Sequence, residues 1–272
     1  MPGLDEIRST WGHAAGWQAA GDEWSGPWGG SEPLWWGTLM PRIHAFLPAG
    51  RILELGPGQG RWSRYLKDRC DELVLVDVAE HALDACRERL AGAPNVSYHV
   101  GDGRSLGMVA DASVDFAFSF DSLVHAETDV MDAYAAELGR VLAPDGVAFL
   151  HHSNMAAHRR AARRARRVPD ALRRRLTIHG VLVNVYAWRA ESTTAASFAA
   201  ACARHGLVCP AQELIAWEYG RRLTDVLSVV ARPGSRWDRP PVRVRNPDFM
   251  AEARALARAA PLYATPDVSS ST

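Results

Sequence analysis

Two adjacent histidines, His151 and His152, end an apolar segment and are followed by Ser153 and Asn154. Imidazole has an ordinary pKa near neutral pH, so a histidine held in a cleft can remove the proton of a substrate hydroxyl. Side chains alternate along a strand, so these two histidines point to opposite faces of any sheet that contains them. We favour His152 as the base, with His151 as the alternative. The competing interpretation of each is a structural histidine bonded to the backbone.

Another apolar segment ends at Asp121, which joins the two histidines as a candidate catalytic residue, and His125 follows four residues later. His125 is expected to shape an acceptor pocket or to bond the base. The alternative is a residue at the start of a helix. Asp121, His152 and Asn154 also belong to types that bind divalent ions. Cation sites use more carboxylates at closer spacing, so we expect no metal.

Three glycines, at positions 56, 58 and 60, follow a third apolar segment and allow a tight turn around a ligand. The third glycine comes one residue too early for the dinucleotide fingerprint, and the Lys-Ser/Thr pair of a P-loop is absent. Asp77, 21 residues after Gly56, is spaced to accept hydrogen bonds from ribose hydroxyls. Asp102 stands between two glycines, where it can accept from an exocyclic amine such as that of adenine. Each aspartate alone is equally a cap or turn residue, but together they predict a nucleoside site.

The segments that must position these residues alternate between strand and helix. The strand-like segments are residues 51–55, 73–78, 96–100, 114–120 and 147–150, and two more at 207–217 and 223–231 can pair as a hairpin. This alternation predicts a doubly wound α/β fold, with a mostly parallel, seven-stranded, Rossmann-like sheet and a terminal antiparallel hairpin. Ligands of such sheets bind at the carboxyl ends of the strands, where the residues above are placed.

The set formed by Glu54, the 56–60 loop, Asp77, Asp102 and the turn at 142–146 resembles class I S-adenosylmethionine-dependent methyltransferases. The resemblance covers residues 50–232 and is specific for the cofactor, not for the substrate. It implies S-adenosylmethionine as cofactor and S-adenosylhomocysteine as product, with the loop along the methionine part. The cofactor-binding residues that it implies are Glu54, Gly56, Pro57, Gly58, Gly60, Asp77, Val78, Asp102, Gly103, Phe120 and Asp121.

The histidine-rich strand end, together with a Trp-rich N-terminus, resembles methyltransferases of glycan and natural-product biosynthesis, a group that includes antibiotic pathways. This second resemblance implies transfer to a hydroxyl of a sugar or glycosylated natural product, assisted by a histidine. The acceptor-binding candidates are His125, His151, Asn154, Trp188 and Trp36. N-methylation of a small amine and a non-catalytic cofactor-binding scaffold are the alternatives.

Three regions are predicted. Residues 1–49 contain six tryptophans and are expected to form a helical cap or lid, residues 50–232 the methyltransferase domain, and residues 233–272 a tail. An insert at 156–192 carries nine arginines between positions 159 and 175. This patch indicates recognition of an acidic acceptor or carrier. The alternative is a solvated helix face.

The bulk composition excludes several classes of partner. Basic and acidic residues are equal in number, 31 each, so no general affinity for nucleic acid or anionic membrane is implied. The four cysteines lack metal-site spacing, and no apolar run is long enough to span a bilayer. The N-terminus has no apolar signal segment. We expect a cytoplasmic protein that acts on a small molecule, and the oligomeric state stays open, a homodimer included.

Overall fold

The computed structural model describes residue 19 and residues 21–217 and 219–262. Within these residues the chain forms an eight-stranded sheet of order β3-β2-β1-β4-β5-β7-β6-β8. The strands are β1 (Ala49–Leu55), β2 (Cys70–Asp77), β3 (Val96–Val100), β4 (Val114–Ser119), β5 (Leu142–Ser153), β6 (Val208–Ile215), β7 (Asp225–Ala231) and β8 (Val242–Asn246). Pairing is parallel among β1 to β5, and β7 runs antiparallel to both β5 and β6. The predicted doubly wound fold and its terminal hairpin are therefore confirmed.

Helices cover both faces of the sheet. The longer ones are α4 (Glu80–Arg89), α5 (Thr128–Val141), α6 (Arg159–Arg166), α7 (Asp170–Ile178), α8 (Ala195–Arg204) and α9 (Phe249–Ala259), and the short ones are α1 (Ser31–Leu34), α2 (Met40–Ile43) and α3 (Ser63–Leu66). Leu53 packs with α5 and α8 on one face, whereas Ile52 faces the cap on the other, as the alternation of strand side chains requires. Among these helices, none is long and apolar enough to cross a lipid bilayer.

The eighth strand, β8, lies in the segment that the sequence predicts to be a tail. It pairs in parallel with β6 at the edge of the sheet. Its valines Val242 and Val244 remain about half exposed. Val242-Arg243-Val244-Arg245 does alternate apolar and basic residues, as strands do, but the segment is short and directly follows two prolines, so its sequence was assigned to the tail.

The cap is built from consecutive short helical segments between Asp22 and Phe46. Trp28 and Trp35 are fully buried in it. Trp28 packs edge-on against Phe249 of α9, with ring centroids 5.9 Å apart, and Trp35 stacks on Tyr65 at 4.9 Å. The N-terminal and C-terminal segments therefore meet on the same face of the sheet. Two of the tryptophans assigned to the cap by the sequence, at positions 11 and 17, lie outside the described residues.

The Arg-rich insert forms α6 and α7. Ala162 and Ala165 turn inward and pack with Val183, while the arginines of α6 are exposed. Arg166 pairs with Glu191, and Asp170 binds two arginines of α7. A role of this patch in binding an acidic acceptor or carrier stays a prediction.

Candidate active site

A cavity of about 960 Å³ opens at the carboxyl ends of β1, β2 and β4. The glycine loop and the ends of β2 and β4 form one side of it. The cap, the segment between α7 and α8, and the first turns of α9 form the other. The sheet thus places eight of the eleven predicted cofactor residues under the cap, where a small molecule can be enclosed.

The glycine loop is shaped by backbone geometry and by one carboxylate. Gly56 has a φ of +68°, and a Cβ atom there would lie 1.9 Å from the Ser122 hydroxyl, so the position tolerates only glycine. The backbone amides of Gly58 and Ala79 each donate to the Asp77 carboxylate, at 3.0 Å. Burial raises the pKa of Asp77, and these two amide bonds oppose that effect.

This arrangement fits the implied cofactor. A carboxylate offers about four acceptor positions, and the two amides use one on each Asp77 oxygen, so ribose hydroxyls can be bound as well. Gly56, Pro57, Gly58, Asp77 and Val78 all line the cavity. These five predicted cofactor residues therefore lie together on the cavity wall.

Two of the predicted cofactor residues support the loop from behind. Glu54 is fully buried and accepts a hydrogen bond of 2.6 Å from Ser63 Oγ. Its burial raises its pKa to about 8. Gly60 packs against Cys86, whose thiol donates to the Gly58 carbonyl at 3.0 Å. Neither Glu54 nor Gly60 lines the cavity.

The Asp102 side chain stabilises the turn in which it lies. Its carboxylate accepts from the amides of Arg104 and Ser105, at 2.8 and 2.6 Å, and from the Ser105 hydroxyl at 3.0 Å. The Ser105 amide bond is the largest of the effects that lower the pKa of Asp102. Gly103 and Arg104 line the cavity, but Asp102 does not. The geometry does not support the predicted contact between the Asp102 side chain and adenine.

The residues that follow β4 form part of the cavity wall, and one of them, Asp121, is charged. Phe120 and Asp121 both line the cavity, and Asp121 has a positive φ of 65°. Arg61 donates to the Asp121 carboxylate at 3.1 Å, and Arg189 lies 3.8 Å from its other oxygen. Asp121 therefore links the glycine loop to the opposite wall.

His151 lies behind this wall and is fully buried. Its Nδ1 accepts from the Asp121 backbone amide at 3.2 Å, so the ring proton is on Nε2, which donates to Asp225 at 3.1 Å. The ring is held between Phe120 and Trp217, with centroids 4.8 Å away on each side. His151 fixes the end of β4 and does not line the cavity.

His152, favoured as the base from the sequence, points to the opposite face of the sheet. It packs on Phe198 of α8, its Nδ1 donates to the Ser153 carbonyl at 3.0 Å, and its Nε2 lies 2.8 Å from the Ser228 hydroxyl. Burial lowers the pKa of His152 to about 4. The alternation of strand side chains puts the two histidines on opposite faces of the sheet, as predicted. The cavity, however, lies on the face of His151 and not on that of His152. This position does not support His152 as the base.

Two of the predicted acceptor-binding residues, Asn154 and Trp36, also lie outside the cavity. Asn154 is buried, donating to the Leu223 carbonyl at 2.7 Å and accepting from the Ala195 amide at 3.1 Å. Trp36 is half exposed on the outer side of the cap, beneath the guanidinium of Arg69. Both are structural in this arrangement, and neither lines the cavity.

His125 and Trp188, by contrast, do line the cavity. The Trp188 carbonyl accepts a hydrogen bond from His125 Nδ1, which leaves the lone pair of the neutral ring on Nε2. Burial lowers the pKa of His125, and the positive charge of Arg189 lowers it further. His125 is therefore held as a neutral imidazole in a defined tautomer.

Several functional residues were missed from the sequence. Arg61 directly follows the glycine loop, a position that could have drawn attention to it. Arg189 donates from Nε to Asp225 at 2.9 Å and lies over the ring of Trp217. Asp225 is 36 residues from Arg189 and 74 from His151, so no local pattern marks it as their partner.

No group of three or more His, Cys, Asp or Glu side chains in the described part of the chain is arranged to hold a metal ion.

Comparison with known proteins finds methyltransferases among the relatives of this chain. Residues 52–146 match a family model described as a methyltransferase domain. The chain is 34% identical over 112 residues to the bifunctional biotin biosynthesis protein of Cellvibrio japonicus, covering 41% of this chain and 21% of that protein. It is 35% identical over 100 residues to the malonyl-[acyl-carrier protein] O-methyltransferase of Serratia marcescens, covering 37% of each chain. The chain thus spans between a fifth and two fifths of these curated relatives.

The fold is shared with a solved protein of Pyrococcus horikoshii, at a TM-score of 0.51 and 24% identity, over 74% of this chain and 87% of that one. This likeness concerns the fold alone. The family match over residues 52–146, which include the glycine loop, Asp77 and Asp121, supports the predicted methyltransferase domain and S-adenosylmethionine as its cofactor.

Proposed function

We propose that this chain transfers the methyl group of S-adenosylmethionine to a hydroxyl of a small molecule. The acceptor class is a sugar or glycosylated natural product of secondary-metabolite or glycan biosynthesis. The observation that carries the proposal is His125, a neutral imidazole on the cavity wall whose Nε2 bears the lone pair. A hydroxyl must lose its proton as it is methylated, and a base of this kind can take that proton.

The cavity supports a small acceptor beside the cofactor. Its volume, about 960 Å³, lies at the upper end of the range of about 300–1,000 Å³ that is usual for small-molecule sites. Trp24, Tyr186 and Trp188 contribute aromatic surface to the cavity wall. Flat aromatic faces suit the apolar faces of sugar rings and of aromatic acceptors.

The bound cofactor would supply an electrophilic methyl group on its sulfonium. The residues of this chain have to hold the acceptor hydroxyl in line with that group, and such positioning carries much of the rate. Asp77 and the glycine loop hold one partner, while Trp188 and the cap enclose the other. His125 receives the proton at Nε2. The Trp188 carbonyl and the charges of Asp121 and Asp225 favour its protonated form.

The test is an acceptor screen with methyl-labelled S-adenosylmethionine on glycosides, phenols and amines, followed by variants on the best acceptor. We expect His125→Gln to reduce kcat by about 10²–10⁴-fold while the affinity for S-adenosylhomocysteine is kept, as for removal of a general base. His152→Gln should keep the chemical step. His44→Gln, at an exposed histidine of the cap, is the matched control.

Three results would overturn the proposal. One is near-normal turnover of a hydroxyl acceptor by His125→Gln. Another is loss of activity in His152→Gln at unchanged folding and cofactor affinity. The third is methylation of amines alone, with a pH profile set by the substrate amine, which would establish N-methylation instead.

A further inference from the structure

The first helical segment of the cap, Asp22–Trp28, forms part of the cavity wall and is called the lid segment below. Four of its residues, Glu23, Trp24, Pro27 and Trp28, line the cavity. Asp22, at its start, does not line the cavity and instead contacts the cofactor half of the molecule. How firmly this segment is held therefore depends on contacts outside the cavity.

Asp22 binds two arginines at once. Arg64 donates to both carboxylate oxygens, at 3.0 and 3.4 Å, and Arg89 donates to Oδ2 at 2.6 Å. The Ser31 hydroxyl also donates to Asp22. Burial alone would raise the pKa of Asp22, but the bonds from Ser31 and Arg89 and the charges of both arginines lower it, so the carboxylate stays ionised at neutral pH. We call Asp22, Arg64 and Arg89 the clasp.

Both arginines come from the elements that carry the cofactor site. Arg64 belongs to α3, directly after the glycine loop, and Arg89 is the last residue of α4. Arg89 also donates to the carbonyl of Gln59, inside the loop, at 3.3 Å. One guanidinium therefore bridges the lid segment and the glycine loop.

A second link joins the same two parts. Arg61, which follows the loop and lines the cavity, donates to the Ser25 hydroxyl at 3.4 Å and lies over the Trp24 ring at 5.8 Å. Arg61 is already bound to Asp121, so its contact with the lid segment is long and secondary. The clasp is the stronger of the two attachments, because its charged groups are closer and more numerous.

We propose that Asp22 is a positioning residue for the cofactor: the clasp fastens the lid segment to the glycine loop and so slows release of the bound cofactor. The lid segment does not need to move for chemistry, but it has to loosen for exchange. Because the inference concerns the cofactor alone, it goes beyond the proposed acceptor and holds for O-methylation and N-methylation alike.

The test measures binding kinetics with S-adenosylhomocysteine by stopped-flow tryptophan fluorescence, since two of the protein's ten tryptophans lie in the lid segment. We expect Asp22→Asn to raise the dissociation rate about tenfold, as for the loss of two partly exposed charged contacts. Arg89→Gln should raise the rate by less, because Arg64 stays bound to Asp22, and adding it to Asp22→Asn should change little, because the Asp22 carboxylate that Arg89 binds is then already gone. Asp22→Glu should restore part of the slow release.

The matched control is Asp84→Asn, which removes an exposed aspartate–arginine pair on the same helix as Arg89 without touching the lid segment. Its dissociation rate should equal that of the wild type. The proposal is overturned if Asp22→Asn releases the product within twofold of the wild-type rate. It is also overturned if Asp22→Asn lowers Tm while leaving the dissociation rate unchanged, if Asp84→Asn has the same effect, or if Asp22→Asn and Arg89→Gln act additively.

Discussion

Replacing Asp225 with asparagine removes the negative charge from the buried ionic group behind the active site. Asp225 is fully buried and accepts from Arg189 Nε at 2.9 Å and from His151 Nε2 at 3.1 Å. Asparagine keeps the shape and one acceptor oxygen but leaves the buried guanidinium of Arg189 with less opposite charge. We therefore expect a large loss of stability from a change of very small volume.

The size of that loss follows from the geometry. Two unit charges about 4 Å apart attract by about 4 kcal/mol at an effective dielectric constant of about 20. Breaking a buried ion pair from one side costs about 3–5 kcal/mol. Arg189 keeps a second carboxylate, Asp121, at 3.8 Å, which offsets part of the cost. We expect Asp225→Asn to lower the free energy of unfolding by about 3 kcal/mol, near the lower end of that range.

Urea unfolding at pH 7 measures this difference, with Asp111→Asn as control because Asp111 forms an exposed pair with Arg140. The control should change stability by less than about 1 kcal/mol. Burial raises the pKa of Asp225, but the charge of Arg189 and the His151 bond outweigh it, so the pKa in the folded protein is lowered. The stabilisation is thus complete above the unfolded pKa, about 3.9, and is lost as the pH falls further.

The difference between wild type and Asp225→Asn should accordingly shrink below about pH 4. A loss under about 1 kcal/mol at pH 7 would contradict this expectation, because it would mean that the group of Asp225, Arg189 and His151 is solvated or relaxes freely. A deficit that is undiminished in acid would refute it too, since the charge would then not be its source.

Two more predictions concern the glycine loop. Gly56→Ala should weaken S-adenosylhomocysteine binding by about tenfold or more by calorimetry, because the new methyl group meets the Ser122 hydroxyl at a positive φ; adding Ser122→Gly should restore part of the affinity, and an unchanged affinity of Gly56→Ala would contradict this. Burial raises the pKa of Glu54 to about 8 in the folded protein, so the stabilisation from its bound proton is complete below the unfolded pKa, about 4.3, and is lost as the pH rises through 8. Between pH 5 and 8 the wild type should therefore lose unfolding free energy relative to Glu54→Gln in urea titrations, and parallel pH profiles of the two proteins would count against a protonated Glu54.

The cofactor half of the site was predictable because its information is local. Each of Gly56, Asp77 and Asp121 stands at the end of its own apolar segment, and a parallel sheet brings such ends to one edge. Alternation along β5 likewise requires His151 and His152 to face opposite ways. A property that depends on a residue and its chain neighbours can be inferred without knowing the rest of the fold.

The acceptor half was decided by contacts between distant segments. The alternation of side chains along β5 does not predict which face of the sheet bears the cavity. That depends on α8, which covers His152, and on Trp217 and the cap, which lie on the side of His151. The lid segment reaches Arg89 across 67 residues. The fold, the cofactor loop and the opposite orientation of the two histidines could thus be inferred from the order of the residues. The burial of His152 was decided by the tertiary fold, because the packing of remote helices determines which face of a strand meets solvent or ligand.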